Sequence, residues 1–182
     1  MRWIALVLAV IGASCFAGIP DYKFDKKEIG SHINLSANSV AKLSLPLSIL
    51  ESANIVGVDG LVVVLKDRSA FSIDTLSSKD IGYPESDMRL WPKFMLGEEP
   101  VGDYPPNYVE DVKKSRQVLV ESNKPYKTGQ FKTENGKCFL LMGKEKTSIY
   151  ITDNSNKEII TLITTTGMTE EKIQEYILQG VL

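Results

Sequence analysis

The sequence predicts a single α+β domain, a mainly antiparallel β-sheet with flanking helices. Three observations lead to this prediction: strand-like runs fill the first half, two hairpin signals follow each other in the last third, and amphipathic helices precede and follow those hairpins. An apolar fraction of 43% is enough to bury a core. Removing a predicted leader, residues 1–17, from the 182-residue chain leaves 165 residues, the size of one ordinary domain.

The leader has the three-part pattern of a secretory signal. A basic start precedes the apolar run 3–11 and the small-residue patch 12–15. The run is shorter than the roughly 20 residues of a membrane-spanning helix. Two processing routes stay open: ordinary cleavage after Ala17, or lipidation of Cys15, which then becomes the N-terminus of a bacterial lipoprotein. The alternative to both is an apolar N-terminal helix that is not cleaved. We expect an exported protein, periplasmic or secreted, without a transmembrane span and with a lipid anchor only on the second route.

Residues 18–38 are polar and basic, and we interpret them as a lead-in or tether before the domain at 39–182, with a short edge strand near 33–35. The first alternating stretch is 42–47, where Pro46 removes a backbone donor and so indicates an edge or an end of a strand. The next predicted elements are a helical turn at 48–53 and strands at 54–58, 61–65 and 71–73. The run at 61–65 is continuously apolar, which predicts a strand covered on both faces.

The middle of the chain is predicted to be a long proline- and aromatic-rich loop at 83–107. A short helix is expected at 86–91, stopped by Pro92. Asn107 is expected to cap a helix that begins at Tyr108. The buried stripe of this helix would consist of Tyr108, Val112 and Leu119.

The last third carries the clearest signals. Strands at 126–133 and 137–142 flank Asn135-Gly136, and Asn-Gly between apolar runs is a strong hairpin signal. A second hairpin joins strands at 148–152 and 158–164. The closing elements are a helix capped by Thr169, its buried stripe of Ile173, Tyr176 and Ile177, and a stop at Gly180.

The C-terminal segment resembles a known family. Its order is a strand at Ser148–Asp153, a strand at Ile159–Ile163, the segment Gly167–Glu171 and a helix at Ile173–Leu178. This order is similar to that of the PsbP-like family of small exported proteins and lipoproteins, over about the last 50 residues of the chain. The resemblance implies an antiparallel sheet flanked by helices and a protein that binds partners and performs no chemistry. It transfers no catalytic residue.

The sequence lacks the residues that several kinds of binding and catalysis require. The formal charge without Arg2 is −3, which gives no reason to expect nucleic acid as a partner. His32 is the single histidine, and there is no Cys-x-x-Cys, so we predict no metal site, no cofactor and no catalytic triad. Cys138 lies in an apolar strand and is expected to be a buried structural thiol. The segment 153–156 is read as a hairpin turn rather than a calcium loop.

The long loop is the candidate site. Aromatic residues with a charged rim are typical of protein recognition. The residues we assign to partner binding are Trp91, Phe94, Glu98, Glu99, Asp103 and Tyr104. The alternative is a structural loop whose Trp91 closes the end of the core.

Three functions are compatible with these patterns. The favoured hypothesis is a non-enzymatic binding protein of the bacterial envelope that recognises a protein partner, for example an immunity-type protein that covers a toxin's active site. A second is an envelope hydrolase that uses the loop carboxylates of Glu98, Glu99 and Asp103. A third is a small-ligand carrier with a pocket between sheet and helices.

Overall fold

A seven-stranded antiparallel sheet forms the centre of the protein. The computed structural model describes residues 18–27, 30–36, 38, 40–51, 53–57 and 60–181. The strands are β1 (His32–Leu35), β2 (Leu43–Pro46), β3 (Asn54–Gly57), β4 (Leu61–Val64), β5 (Ala70–Ser77), β6 (Pro125–Lys132), β7 (Gly136–Gly143), β8 (Lys146–Asp153) and β9 (Asn156–Thr166). The helices are α1 (Leu47–Leu50), α2 (Trp91–Met95), α3 (Pro106–Asn123) and α4 (Glu170–Tyr176), followed by a 3₁₀ turn at Leu178–Gly180.

The strand order of the large sheet is β3-β4-β5-β9-β8-β7-β6, and each neighbouring pair is antiparallel. β1 and β2 form a separate two-stranded sheet. This arrangement confirms the predicted α+β class with a mainly antiparallel sheet. The predicted leader, including Cys15, lies outside the described residues.

Both predicted C-terminal hairpins form. The chain turns between β6 and β7 at Asn135-Gly136, where the amide of Thr133 donates to the carbonyl of Gly136 (3.2 Å). Gly136 is required there because a Cβ atom would lie 1.9 Å from the backbone oxygen of Thr152 on the adjacent strand. The second hairpin pairs β8 with β9 and places Ile149 opposite Ile163. Local turn chemistry therefore sets the register of the best-packed strands.

The sheet separates two hydrophobic layers because side chains alternate between its faces. Cys138, Leu140 and Ile149 lie on one face, against α4 and the C-terminal residues, which we call the α4 face. Phe139, Tyr150 and Ile160 lie on the other, against α2 and α3, which we call the α3 face. Cys138 has no exposed surface, and burial raises the pKa of its thiol far above the usual range. It is the buried thiol that the sequence predicts.

The predicted tether is folded onto the body. Residues 18–27, the N-terminal strap, run beside β6, with Asp21 bridged in parallel to Gln130. The amide of Tyr22 donates to the carbonyl of Gln130 (2.7 Å), and the amide of Gln130 donates to the carbonyl of Pro20 (2.9 Å). The side-chain amide of Gln130 adds a bond to the carbonyl of Ile19 (3.0 Å). The strap thus covers the outer edge of β6.

Both proline-bounded helices begin at other residues than expected, α2 later and α3 earlier. The predicted helix at 86–91, with Pro92 as its stop, is corrected to α2, in which Pro92 occupies the first turn. α3 begins at Pro106 and is not capped by Asn107. Proline is tolerated in the first helical turn because those amides have no intrahelical acceptor. The predicted stripe of α3 is present, with Tyr108 and Val112 buried and Leu119 half-buried.

Two further expectations fail on packing. Val63 of β4 is buried, but Val62 and Val64 are only half-buried, so β4 is not covered on both faces. The reason is that α3 packs over β7 and β8, on the other half of the sheet. Gly180 does not stop α4; it lies in the 3₁₀ turn, where a Cβ atom would meet the backbone oxygen of Ser44 at 2.1 Å.

Candidate functional site

The predicted site residues lie in α2 and in the segment that joins α2 to α3, and the base of this segment is a cluster of aromatic rings. Tyr104 and Tyr108 stack with ring centroids 4.6 Å apart. Tyr83 meets Tyr108 edge-on at 4.6 Å, and Phe94 meets Tyr104 edge-on at 6.0 Å. Edge-to-face and offset arrangements are the favoured geometries of aromatic pairs. The cluster therefore holds both ends of the segment in a defined position.

A partly buried hydrogen bond reinforces this base. The hydroxyl of Tyr83 donates to a carboxylate oxygen of Asp111 on α3 (2.7 Å). This bond raises the pKa of Tyr83 to about 12 and lowers the pKa of Asp111. The phenol is therefore neutral, and the carboxylate is ionised, over the physiological range, which keeps the bond charge-assisted.

The tip of the segment, residues 97–105, is the acidic loop. Gly97 and Gly102 have φ angles of 113° and 130°, which residues with a Cβ rarely adopt. The amide of Glu98 donates to the carbonyl of Lys93 (3.0 Å), so the loop is tied to α2 where it begins. Val101 stands at the tip and is 90% exposed, a larger fraction than for any other large hydrophobic side chain among the described residues.

Acidic residues flank that exposed valine in the sequence of the loop. Glu99 forms an ion pair with Arg116 of α3 (2.7 Å), which fastens the loop to the helix. Glu98 lies 3.9 Å from the Nζ atom of Lys93. Asp103 is exposed and has no ion pair with any described residue. The loop thus carries one exposed apolar side chain and three acidic residues, Glu98, Glu99 and Asp103, which we call the acidic rim.

The structure divides the six predicted residues into two groups. Trp91 and Phe94 are buried, 8% and 4% exposed, and pack into the α3-face core. Their burial agrees with the structural alternative for Trp91, and the role of both residues in partner binding stays a prediction. Tyr104 is half-buried in the aromatic base. Glu98, Glu99 and Asp103 remain at the surface, and their role in partner binding stays a prediction.

Sequence reasoning missed Val101. The available signal was an apolar residue between Pro100 and Gly102, inside an acidic stretch. Such a residue has no apolar neighbours in the sequence with which to form a buried face. It also missed Arg116, whose ion pair joins two segments 17 positions apart in the sequence. Only the tertiary fold brings those two groups together.

The residues for other chemistries are dispersed over the described part of the chain. No group of three or more His, Cys, Asp or Glu among the described residues could hold a metal ion. His32 lies on an exposed strand, with Nδ1 3.0 Å from the carbonyl oxygen of Gly30. The segment at 153–156 forms the tight β8–β9 turn, where the Asp153 carboxylate accepts bonds from the amide and hydroxyl of Ser155.

A cleft of about 420 Å³ lies beside α4, on the opposite side of the sheet from the acidic loop. Its walls include Lys27, Glu171, Glu175 and Gln179. Gln179 is already bonded on both sides, accepting from the amide of Lys27 (2.8 Å) and donating to the carbonyl of Asp25 (2.6 Å). The cleft is therefore a polar depression between the strap and α4, and differs from the mostly apolar pockets that hold small ligands.

Within the described residues, no helix is both long and apolar enough to span a membrane. No protein-family model, curated protein or solved structure matches this chain.

Proposed function

We propose that this is an exported, non-enzymatic binding protein of the bacterial envelope that recognises a protein partner through the acidic loop. The observation that carries the proposal is the position of Val101, an apolar side chain 90% exposed at the tip of a glycine-bounded loop. An exposed apolar side chain contributes favourable free energy only when a partner removes it from water. The aromatic base and the Glu99–Arg116 pair support the proposal because a loop held in advance loses less entropy on binding.

The charge of the loop indicates the chemistry of the partner. The acidic rim lies close to Val101 in the loop sequence, and Asp103 has no ion pair with any described residue, so we expect the complementary surface to carry Lys or Arg beside a small apolar pocket. A toxin with a cationic active site meets this description, and covering such a site is how an immunity-type inhibitor would act. Export, and the resemblance of the C-terminal segment to PsbP-like proteins, are parts of the same proposal.

Site-specific photo-crosslinking in cells tests the loop as the interface. A photoreactive amino acid replaces Val101, and a matched variant carries it at Val118, which is 65% exposed on α3. We expect a discrete adduct with a protein partner from position 101 and none from position 118. No adduct from position 101, or the same adducts from both positions, would contradict the proposal.

A charge variant then tests the rim. In the double variant Glu98→Gln, Asp103→Asn, we expect the yield of the adduct formed from position 101 to fall about tenfold. The reason is that two interfacial charge pairs together contribute on the order of 1 to 2 kcal/mol to binding. The matched control is Glu110→Gln, an exposed acid on α3 outside the loop. An unchanged adduct in the double variant would remove the acidic rim from the interface.

Mass spectrometry of the processed protein tests export and its route. Ordinary cleavage leaves a chain that begins at Gly18, whereas lipidation leaves a chain that begins at Cys15 with added acyl mass. A cellular protein that retains residues 1–14 would contradict both routes.

A further inference from the structure

Within the described part of the chain, the outer edge of β3 is unpaired along the strand. β3 forms one end of the large sheet and pairs with β4 on its inner side, and no described segment pairs with its outer side. The amide and carbonyl groups on that side therefore form an open hydrogen-bonding edge. Ile55 and Val56 are each 48% exposed and point to opposite faces of the sheet.

Most natural edge strands carry a device against pairing with other strands, such as a charged side chain, a proline, a bulge or a cover. The sequence of β3, Asn54–Gly57, contains no charge and no proline, and its pairing with β4 is regular over all four residues. Its remaining protection is its short length. The other end of the sheet, β6, is covered by the N-terminal strap.

We propose that the occupant of the β3 edge is β3 of a second copy of this chain. Antiparallel pairing of a strand with its own copy about a twofold axis is self-complementary: the residue on the axis lies opposite its own copy, and its neighbours pair with one another. A charge on or beside the axis would lie close to an equal charge, and β3 carries none. The pair centred on Ile55 or Val56 puts two β-branched side chains in contact, which is a favourable cross-strand pair.

The size of the surface sets the strength of this dimer. A stable protein interface contains roughly 20 to 30 residues on each side. β3 supplies four residues, of which two are large and apolar. The dimer is therefore weak and dissociates on dilution. It uses a different surface from the acidic loop, so it is independent of the proposed function.

Sedimentation velocity of the purified full chain, over a wide range of concentration, tests the proposal. We expect the weight-average sedimentation coefficient to rise from the monomer value towards the dimer value with concentration. Ile55→Lys should stay monomeric over the whole range, because it places like charges across the twofold axis. Val118→Lys introduces the same charge on α3 and should dimerise like the wild type. A wild type that is monomeric throughout, or an Ile55→Lys variant that dimerises normally, overturns the proposal.

Disulfide trapping gives a readout that does not depend on the lysine variant folding. In a Cys15→Ser background, Ile55→Cys and Val56→Cys are oxidised separately, with Val118→Cys as the control. Paired residues in an antiparallel ladder lie about 4.5 to 5.5 Å apart at Cα, which is within reach of a disulfide. We expect a covalent dimer from whichever residue lies on the twofold axis. The pairing is contradicted if neither Ile55→Cys nor Val56→Cys forms a covalent dimer, or if Val118→Cys forms as much of it.

Discussion

The two edges of the central sheet differ: the chain covers one of them and leaves the other exposed among the described residues. The β6 edge is covered by the strap, which contributes backbone bonds to Gln130 and the buried side chain of Tyr22. The β3 edge has no cover among the described residues and exposes Ile55 and Val56. The strap therefore closes one end of the sheet from within the chain, whereas the other end is left open to a strand from outside it.

The covered edge is more than a backbone pairing. The hydroxyl of Tyr22 donates to Glu170 of α4 (2.7 Å) and accepts from Gln174 (2.8 Å). Lys127 of β6 bonds to the same Glu170 carboxylate (2.6 Å) and places its Nζ atom 4.7 Å from the centre of the Tyr22 ring. One side chain of the strap thus joins a strand to a helix, and its loss would loosen both.

The largest expected effect comes from removing that side chain. Tyr22→Ala deletes a ring that is 6% exposed, so we expect it to lower the free energy of unfolding by about 3 to 5 kcal/mol. The control is Tyr126→Ala on β6, where the ring is 55% exposed and the expected change is within about 0.5 kcal/mol. Urea denaturation of both variants measures the difference. Equal losses would mean that the strap contributes little to the fold.

A smaller loss is expected from crowding the strap. A Cβ atom on Gly129 would lie 2.8 Å from the Cβ of Tyr22. We therefore expect Gly129→Ala to lower the free energy of unfolding by about 1 to 3 kcal/mol and to increase hydrogen exchange at Tyr22 and Gln130. Gly30→Ala is the matched control, because a Cβ atom there meets nothing within 4 Å. An unchanged exchange rate at Tyr22 in Gly129→Ala would show that the contact is relieved without moving the strap.

The strap should also respond to acid. The bond from Lys127, with those from Tyr22 and Gln174, lowers the pKa of Glu170 in the folded protein. A carboxyl group with a depressed folded pKa contributes stability above its unfolded pKa, about 4.3, and loses it as the pH falls through the folded value. We expect the free energy of unfolding of the wild type to exceed that of Glu170→Gln by about 1 kcal/mol at neutral pH. This difference should vanish at acid pH.

Denaturation of both proteins at neutral and acid pH measures this difference. Glu171→Gln is the control, since Glu171 is exposed and has no side-chain bond in the described structure. A Glu170→Gln deficit that is the same at both pH values would assign the loss to packing and not to charge.

The bare edge should give the smallest effect on folding. Ile55 is about half exposed, so Ile55→Lys should change the free energy of unfolding of the monomer by no more than about 0.5 kcal/mol. The measurement is urea denaturation at low protein concentration, where self-association does not contribute. A loss as large as that of Gly129→Ala would mean that Ile55 supports the core, and would remove the contrast between the two edges.

The sequence predicted the sheet most accurately where turns are local. Asn135-Gly136 located the β6–β7 hairpin because that dipeptide suits the turn regardless of distant contacts. The sequence predicts a lead-in or tether for the strap, because the bonds that hold it reach residues more than 100 positions away and leave no local pattern. A faint signal existed, since Tyr22 and Phe24 alternate with polar residues, and Phe24 packs edge-on against Phe131 at 5.1 Å.

The candidate site was predicted only in part for a similar reason. The sequence located the aromatic and acidic segment, but composition alone does not say which side chains face the core. Trp91 and Phe94 turn inward because Pro92 starts a helix rather than ending one. Val101 turns outward because Gly97 and Gly102 allow a tight excursion between two helices. Both outcomes depend on backbone geometry that residue types alone do not specify.

The docked strap also limits how far the body can move from an anchor. The carbonyl of Ile19 is held by Gln130 at the sheet edge, and Cys15 precedes Ile19 by four residues. Four residues span at most about 14 Å, even when fully extended. A lipid on Cys15 would therefore hold the β6 end of the sheet directly at the bilayer surface, with no freedom to reach across the envelope. Any partner of an anchored form must come to the membrane to be bound.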